Sequence, residues 1–352
     1  MTVAAHTRRL DELRREHSSS FGGKSSMLGE LIAADIPVPP GFAVSTSAFH
    51  AFVEEAGLGG MIAAELSQIS VDDVESVGAA SHAIGEAMRS APVPQAVQGE
   101  IAERYAELAE ETGVRDPPVA VRSSALGEDS QEATFAGQQE TYLWVRGADR
   151  VCDAVRDCWV SLFGTPALTY RARFETTAGE PAMGVGVQLM VDAEVSGVLF
   201  TCNPVSGDPS MVAVNASWGL GLAVVGGEVT PDDFLVSKIT HEVVREHVST
   251  KEIEYVPDAA GRGAVRVDVP EERRGVACLD HAALEVLVEM SRRVERYFGG
   301  HQDIEWAIAR GSGLHVLQAR PVTALPRRKE APKSASAMSL VMSRFGAGNS
   351  DS

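Results

Sequence analysis

The sequence predicts an α+β fold of two packed lobes, and three observations carry that reading. At 352 residues the chain exceeds the length at which one hydrophobic core usually stops growing. Residues 47–112 repeat their apolar side chains at helical spacing, with Ile101, Tyr105 and Leu108 on one face. From Val119 onward the texture changes to short β-branched runs punctuated by Gly, Pro and Asn, the pattern of strands and turns.

Along the chain, residues 1–17 set Arg8, Arg9, Arg14 and Arg15 beside Asp11, Glu12 and Glu16 and read as a charged opening helix. They lack the apolar run of a secretory signal, so export is not expected. Residues 24–35 read as a helix that follows a Gly-Gly turn and is stopped by the prolines of 37–40. A strand at 42–44 leads into the helical scaffold of 47–112. Strands are expected at 119–122, 141–145, 184–190, 194–201, 211–216 and 234–237, with further ones at 241–248 and 264–269, and a helical interruption between 149 and 174. A helix over 280–298 aligns Leu284, Leu287, Ser291, Val294 and Phe298 and should pack under the last sheet. The final element is a hairpin, 302–309 and 314–319, around the turn Arg310, Gly311, Ser312 and Gly313. Beyond Pro326 the residues are basic, small and weakly hydrophobic, so burial cannot offset their ordering entropy. The expected division is an N-terminal lobe over 1–182, a C-terminal lobe over 183–325 and a flexible tail over 326–352.

Composition narrows the function. An apolar fraction of 44% and a charged fraction of 23% are globular values, and the sequence has no run of about eighteen apolar residues, the length needed to span a bilayer. The chain reads as soluble. Cys152, Cys158, Cys202 and Cys278 form no C-x-x-C pair, so neither a zinc site nor a disulfide framework is indicated and a reducing cytoplasm is expected. A net charge of −18 repels a nucleic-acid backbone. An anionic ligand would have to be held by a few placed cations, backbone N–H groups and a divalent metal rather than by a general field.

Three constellations could hold such an anion. Gly22 and Gly23 precede Lys24, Ser25 and Ser26; the glycines permit close backbone approach and the lysine stands at a helix N-terminus. Lys24 reads either as a phosphate-binding residue or as a solvated lysine before a surface helix, and the spacing is not that of a P-loop. In the second constellation the strand at 119–122 ends in Arg122, Ser123 and Ser124, with the small residues around Gly137 following. Alternation turns Arg122 away from the face of Val119 and Val121, where its planar fork could take phosphate oxygens, or could pair with Glu128 or Asp129. In the third, if Ala309 faces Leu314 across the terminal hairpin, Glu305 falls opposite Gln318 and Asp303 opposite Arg320, all on one face. Ile304, Trp306 and Ile308 then form the core face. A carboxylate beside a carboxamide can hold Mg²⁺ while ATP and water supply the other oxygens, with Arg320 toward a transferring phosphoryl group; an ordinary solvated hairpin face is the alternative. Residues 185–191 could be a strand joining two lobes or simply a buried strand. His82 lies in a helical run without a Gly-rich approach and reads as incidental.

These pieces in this order resemble the ATP-binding domain shared by PEP synthase, pyruvate phosphate dikinase and rifampin phosphotransferase. The matching stretches are GGKSSMLGEL, IPVPPGFAVSTSAF, AVRSSALGEDSQEATFAGQQETY, SGVLFTCNPVSGD, ASWGLGLAVVGGEVTPDDFLVSK and DIEWAIARGSGLHVLQARPVT, between about residues 20 and 325. The resemblance implies a two-lobed ATP-grasp-like nucleotide-binding module using ATP and Mg²⁺. It implies that Lys24 and Arg122 hold phosphates, that residues 137–141, including Gly137, Gln138 and Thr141, form a loop over them, and that Gln188 lies on the adenine side. Asp303, Glu305, Gln318 and Arg320 would complete the metal and phosphoryl-transfer site, with Glu305 and Gln318 as metal ligands. Where the family often has a glutamate after Gly-Leu-Gly, this chain has Leu222.

The relatives continue into a phosphohistidine domain with a Gly-Gly-x-x-Ser-His type of motif, which this sequence lacks. The resemblance therefore implies transfer of the ATP β-phosphoryl group to a histidine on a partner protein or domain in trans, and onward to a small acceptor, phenolic or pyruvate. A stand-alone nucleotide subunit is similar to that of phenylphosphate synthase; a piece of a longer PEP synthase or rifampin-phosphotransferase-like enzyme fits equally. A nucleotide-binding regulatory subunit without turnover and an ATP-grasp ligase that releases ADP stay open beside these.

Overall fold

The computed structural model describes residues 5–70, 73–125, 140–174, 181–258, 263–311 and 313–322. The expected tail over 326–352 lies outside them, as do Glu128, Asp129, Gly137, Gln138 and Ser312. Among the described residues the strands are β1 (Thr7–Arg9), β2 (Gly41–Val44), β3 (Val119–Ala125), β4 (Thr141–Val145), β5 (Met183–Leu189), β6 (Ala193–Phe200), β7 (Met211–Trp218), β8 (Asp232–Ser237), β9 (Val243–His247), β10 (Ile253–Pro257), β11 (Ala264–Asp268), β12 (Gln302–Ala309) and β13 (Gly313–Pro321). The helices are α1 (Ser18–Phe21), α2 (Gly23–Ala33), α3 (Thr46–Glu55), α4 (Gly59–Ser67), α5 (Val74–Ser90), α6 (Gln95–Thr112), α7 (Ala148–Ser161), α8 (Thr165–Phe174), α9 (Leu222–Val225), α10 (Glu271–Arg274) and α11 (His281–Phe298). The mixed α/β reading therefore holds.

Two large antiparallel sheets organise the chain. The first has the order β1-β2-β5-β3-β4 and the second β13-β12-β6-β7-β8-β9, with β10 and β11 as a separate hairpin. Alternation along β3 sends Val119 and Val121 to a helical layer, where they join Val185, Val187, Phe42 and Val44. In that layer Trp159 of α7 stacks on Phe52 at 5.3 Å between ring centroids and meets Phe49 edge-on at 6.1 Å. The second sheet is covered by α11, whose Leu284, Leu287, Ser291 and Val294 are buried as expected while Phe298 is only partly so. Asp280 caps α11 by accepting from the Ala283 N–H at 2.8 Å, and Gly299 in the left-handed region ends it. The opposite faces of the two sheets, which carry Ala120, Arg122 and Gln188 on one and Glu305 and Ala307 on the other, line a shared cleft.

Three expectations are corrected. The opening segment is not a helix: Thr7–Arg9 pairs with β2 and is followed by single turns at Leu10–Glu12 and Arg15–His17. Its charge pattern is overridden by tertiary contacts, because Thr7 donates its N–H and Oγ1–H to Glu100 at 2.9 and 3.1 Å and Leu10 and Leu13 enter the core. β5 lies between β2 and β3 in the first sheet, and the chain changes sheets at 190–192. β10 and α9 were not expected; the buried Glu254 interrupts the apolar pattern that would mark β10. Finally, Ala309 faces Gly313 rather than Leu314, and a β-bulge between Glu305 and Trp306 restores the expected pairs.

Beneath the second sheet, Asp232 and Lys251 form an ion pair at 2.5 Å with both side chains fully buried. Asp232 also accepts backbone N–H groups from Ser249 at 2.9 Å and Cys278 at 2.8 Å, while Lys251 donates to the Ser249 carbonyl at 2.8 Å. This network pins two loops to the start of β8. Lys251→Met should strand the carboxylate without its cation and destabilise the fold by about 3–5 kcal/mol, read as a lowered urea midpoint; an unchanged midpoint contradicts the structural role. The four cysteines are buried and unpaired, and burial raises each thiol, Cys152 to about 11. A raised pKa leaves little thiolate at mildly alkaline pH. Native protein should therefore react slowly with a thiol reagent at about pH 8 and expose all four thiols only in denaturant; fast native labelling would contradict the burial.

Candidate functional site

The first turn of α2 and the end of β3 interlock. Gly22 has φ +81°, and a Cβ there would stand 2.1 Å from Ser124 Oγ, so only glycine allows the approach. The next contact follows from it: the Lys24 backbone N–H donates to Ser124 Oγ at 3.1 Å. Gly184 of β5 likewise meets the Phe21 carbonyl, where a Cβ would come within 2.4 Å. The two glycine- and serine-bearing motifs are thus packed against each other, and Lys24 and Arg122 emerge on neighbouring elements.

Arg122 points to the face opposite Val119 and Val121, as alternation requires, and crosses to the second sheet. Its Nη2 donates to Glu305 Oε2 at 2.8 Å and its Nη1 to the Leu317 carbonyl at 3.2 Å. Glu305 stands opposite Gln318, and Asp303 stands opposite Arg320, which donates to the Asp303 carboxylate at 2.8 Å. Because the bulge places Trp306 opposite Val316, Leu317 is the extra residue of β13 and joins the cleft wall, while Val316 stays in the core. Bulges re-aim side chains in this way at functional sites.

The cleft measures ≈ 520 Å³. Arg122, Thr141, Gln188 and Glu305 line its polar part, and Met190, Val191, Ala193, Leu220, Leu222 and Leu317 line its apolar part. Lys24 and Gln318 do not line the cleft itself; they meet Arg122 and Gln188 at a small adjoining cavity. Asp303 and Arg320 lie one same-face step beyond Glu305 and Gln318 along the hairpin. The structure thus brings Lys24, Arg122, Thr141, Gln188, Glu305 and Gln318 together with the Asp303–Arg320 pair alongside. Gly137 and Gln138 lie outside the described residues, and His82 is exposed on α5.

Burial pushes the Glu305 carboxyl up, but the charge and hydrogen bond of Arg122, helped by Lys24 and Arg320, outweigh it and hold the group below the usual carboxylate range. Asp303 goes the other way: burial raises it and the neighbouring Glu305 adds to that, more than Arg320 offsets. Among the described residues no group of three or more His, Cys, Asp or Glu side chains could hold a metal ion. Glu305 and Gln318 offer two hard oxygen donors, a set that fits Mg²⁺ when a ligand's own oxygens complete the shell.

Sequence reasoning passed over Ser124 as a partner of Lys24, Glu140 in the cleft wall, and the rim pair in which Tyr255 donates to Glu228 at 2.9 Å. Ser124 was within the quoted motif, and its small hydroxyl opposite a glycine was the available signal. Tyr255 could be found only after β10, which the sequence did not reveal.

The chain matches the family profile described as "Pyruvate phosphate dikinase, AMP/ATP-binding domain" over residues 18–339. It is 40% identical over 320 residues to a protein described as a probable phosphoenolpyruvate synthase from Methanothermobacter thermautotrophicus, covering 91% of this chain and 46% of that one. The corresponding protein of Methanocaldococcus jannaschii is 38% identical over 325 residues, covering 92% and 27%. The phosphoenolpyruvate synthase of Pyrococcus furiosus is 37% identical over 363 residues, covering 92% and 44%. The chain therefore spans less than half the length of these relatives. Among the described residues no helix is long and apolar enough to cross a membrane. With a profile match over most of its length and relatives of 37–40% identity over about nine-tenths of it, this chain belongs to the pyruvate phosphate dikinase AMP/ATP-binding domain family.

Proposed function

We propose that this chain is a two-lobed ATP-grasp module that binds MgATP between its two sheets and passes the β-phosphoryl group to a histidine on a partner protein or domain. ATP, water and the histidine would give phosphohistidine, AMP and phosphate. The observation that supports this reading is the convergence of Lys24, Arg122, Glu305 and Gln318, from α2, β3, β12 and β13, beside an apolar cleft large enough for a nucleoside.

In this reading the apolar end of the cleft takes the base, near Gln188 and the 190–192 crossover, and the phosphates lie toward Lys24 and Arg122. The Arg122–Glu305 pair holds each charge in place before the nucleotide arrives. Phosphate oxygens then become the partner of Arg122, and the freed Glu305 carboxylate, with the Gln318 carbonyl oxygen, would hold Mg²⁺. The metal ion supplies charge neutralisation on the phosphate oxygens. Catalysis by this chain is then positioning plus charge stabilisation by Lys24, Arg122 and Arg320. Asp303 would hold the Arg320 guanidinium in place through the 2.8 Å bond it accepts.

The acceptor is assigned to a partner because all nine histidines are among the described residues and none lines the cleft. The small molecule that finally receives the phosphoryl group, phenolic or pyruvate, would bind to that partner.

Lys24→Ala and Arg122→Ala should each weaken ATP binding roughly ten- to a hundredfold through the loss of charge-assisted hydrogen bonds. Calorimetric titration checks this, and unchanged affinity in both variants would sink the assignment. Glu305→Gln keeps the shape and removes the metal-binding charge, so phosphotransfer with a phosphohistidine partner should fall by at least about a hundredfold while the nucleotide-free melting temperature moves by only a few degrees. Near-normal transfer by this variant, or an isolated chain that phosphorylates small acceptors at ordinary enzymatic rates, would overturn the reading.

A further inference from the structure

We propose that the small cavity behind the phosphate-binding residues is a built site for a single water molecule, held by the Ser25 hydroxyl, and that Ser25 through this water positions the Gln318 carboxamide. The second half of the proposal rests on the reading of Gln318 as a metal ligand; the first half does not.

The cavity measures ≈ 20 Å³, between α2, β3, β5 and β13. That is room for one water and for nothing the size of a phosphate. Lys24, Ser25, Arg122, Ser124, Gln188 and Gln318 face it. Ser25 is only 1% exposed, and its Oγ finds no hydrogen-bond partner among the described residues. A buried hydroxyl without a partner is the unusual case, and an ordered water is the ordinary remedy. The backbone makes space for that hydroxyl: a Cβ on Gly186 would come within 3.1 Å of Ser25 Oγ.

The surroundings select water over an ion. Lys24 and Arg122 on the cavity wall disfavour a cation, and the volume excludes an oxyanion. A water both donates and accepts; the Gln188 Nε2 is turned to the Pro39 carbonyl at 3.5 Å, so Ser25 Oγ and the amide groups that Gln188 and Gln318 bring to the cavity wall are the partners on offer, within the two to four that a buried water needs. Gln318 can meet a cation only through its carbonyl oxygen, so its NH₂ must be directed elsewhere. A water in this cavity accepts from that NH₂ and thereby selects the amide orientation that presents oxygen to the metal.

Two measurements test the proposal on the full chain. A high-resolution crystal structure without nucleotide should show one ordered water at roughly 2.7–3.2 Å from Ser25 Oγ, lost or displaced in Ser25→Ala. Calorimetry should show that Ser25→Ala binds ATP normally in EDTA yet needs roughly fivefold more Mg²⁺ for full affinity, the scale of one hydrogen bond. A dry cavity in the wild-type crystal overturns the water site. An unchanged Mg²⁺ requirement, or an equal loss of ATP affinity with and without Mg²⁺, overturns the positioning role. If the wild type binds no ATP, the nucleotide reading fails while the crystal still decides the water site.

Discussion

The ion pair between Arg122 and Glu305 is the interaction through which the two sheets share one site. Arg122 belongs to β3, an inner strand of the first sheet, and Glu305 to β12 of the second, so the 2.8 Å contact ties the two cleft walls together. Alone, either group would be costly at this half-buried position; together they neutralise one another, and the arginine keeps the carboxylate ionised against the effect of burial. In a chain with a net charge of −18 this matters doubly. Positive charge reaches an anionic ligand only where the fold places it, and a preset pair stores that charge without leaving it exposed to the surrounding acidic surface.

Backbone geometry decides where the members of the site can stand. The approach of Gly22 to Ser124 leaves no room for a side chain, so the α2 N-terminus is pressed against β3 and Lys24 is carried to the same region as Arg122. On the other wall the bulge between Glu305 and Trp306 adds one residue to β13. Without it the shorter turn, in which Ala309 faces Gly313, would shift every partner beyond Trp306 by one position and turn Gln318 to the wrong face. The bulge therefore links the packing of Trp306 and Val316 in the core to the pairing of Glu305 with Gln318 in the cleft.

Much of this was legible in the chain itself. Alternation in 119–122 correctly aimed Arg122 away from Val119 and Val121, and the helical stripe of 280–298 correctly named Leu284, Leu287, Ser291 and Val294 as core. The pairs Glu305–Gln318 and Asp303–Arg320 were reached through a turn register that the structure does not have, because the bulge cancels the error in the turn. The opening segment misled because its charges suit a helix, whereas its fate is set by β2 and by Glu100, 93 residues away.

By itself the sequence determined the elements whose periodicity is local, the face on which each polar side chain lies, and the ordered motifs that mark the family. Such properties depend on neighbours a few residues apart, and side-chain alternation records them directly. Only the tertiary structure decided that Arg122 takes Glu305 as its partner across 183 positions, that β5 belongs to the first sheet, and that Ser25 faces a cavity shared with Gln318. Those facts are set by which surfaces meet when two sheets and a helix pack together, and no local pattern encodes a contact whose two halves are read from distant parts of the chain.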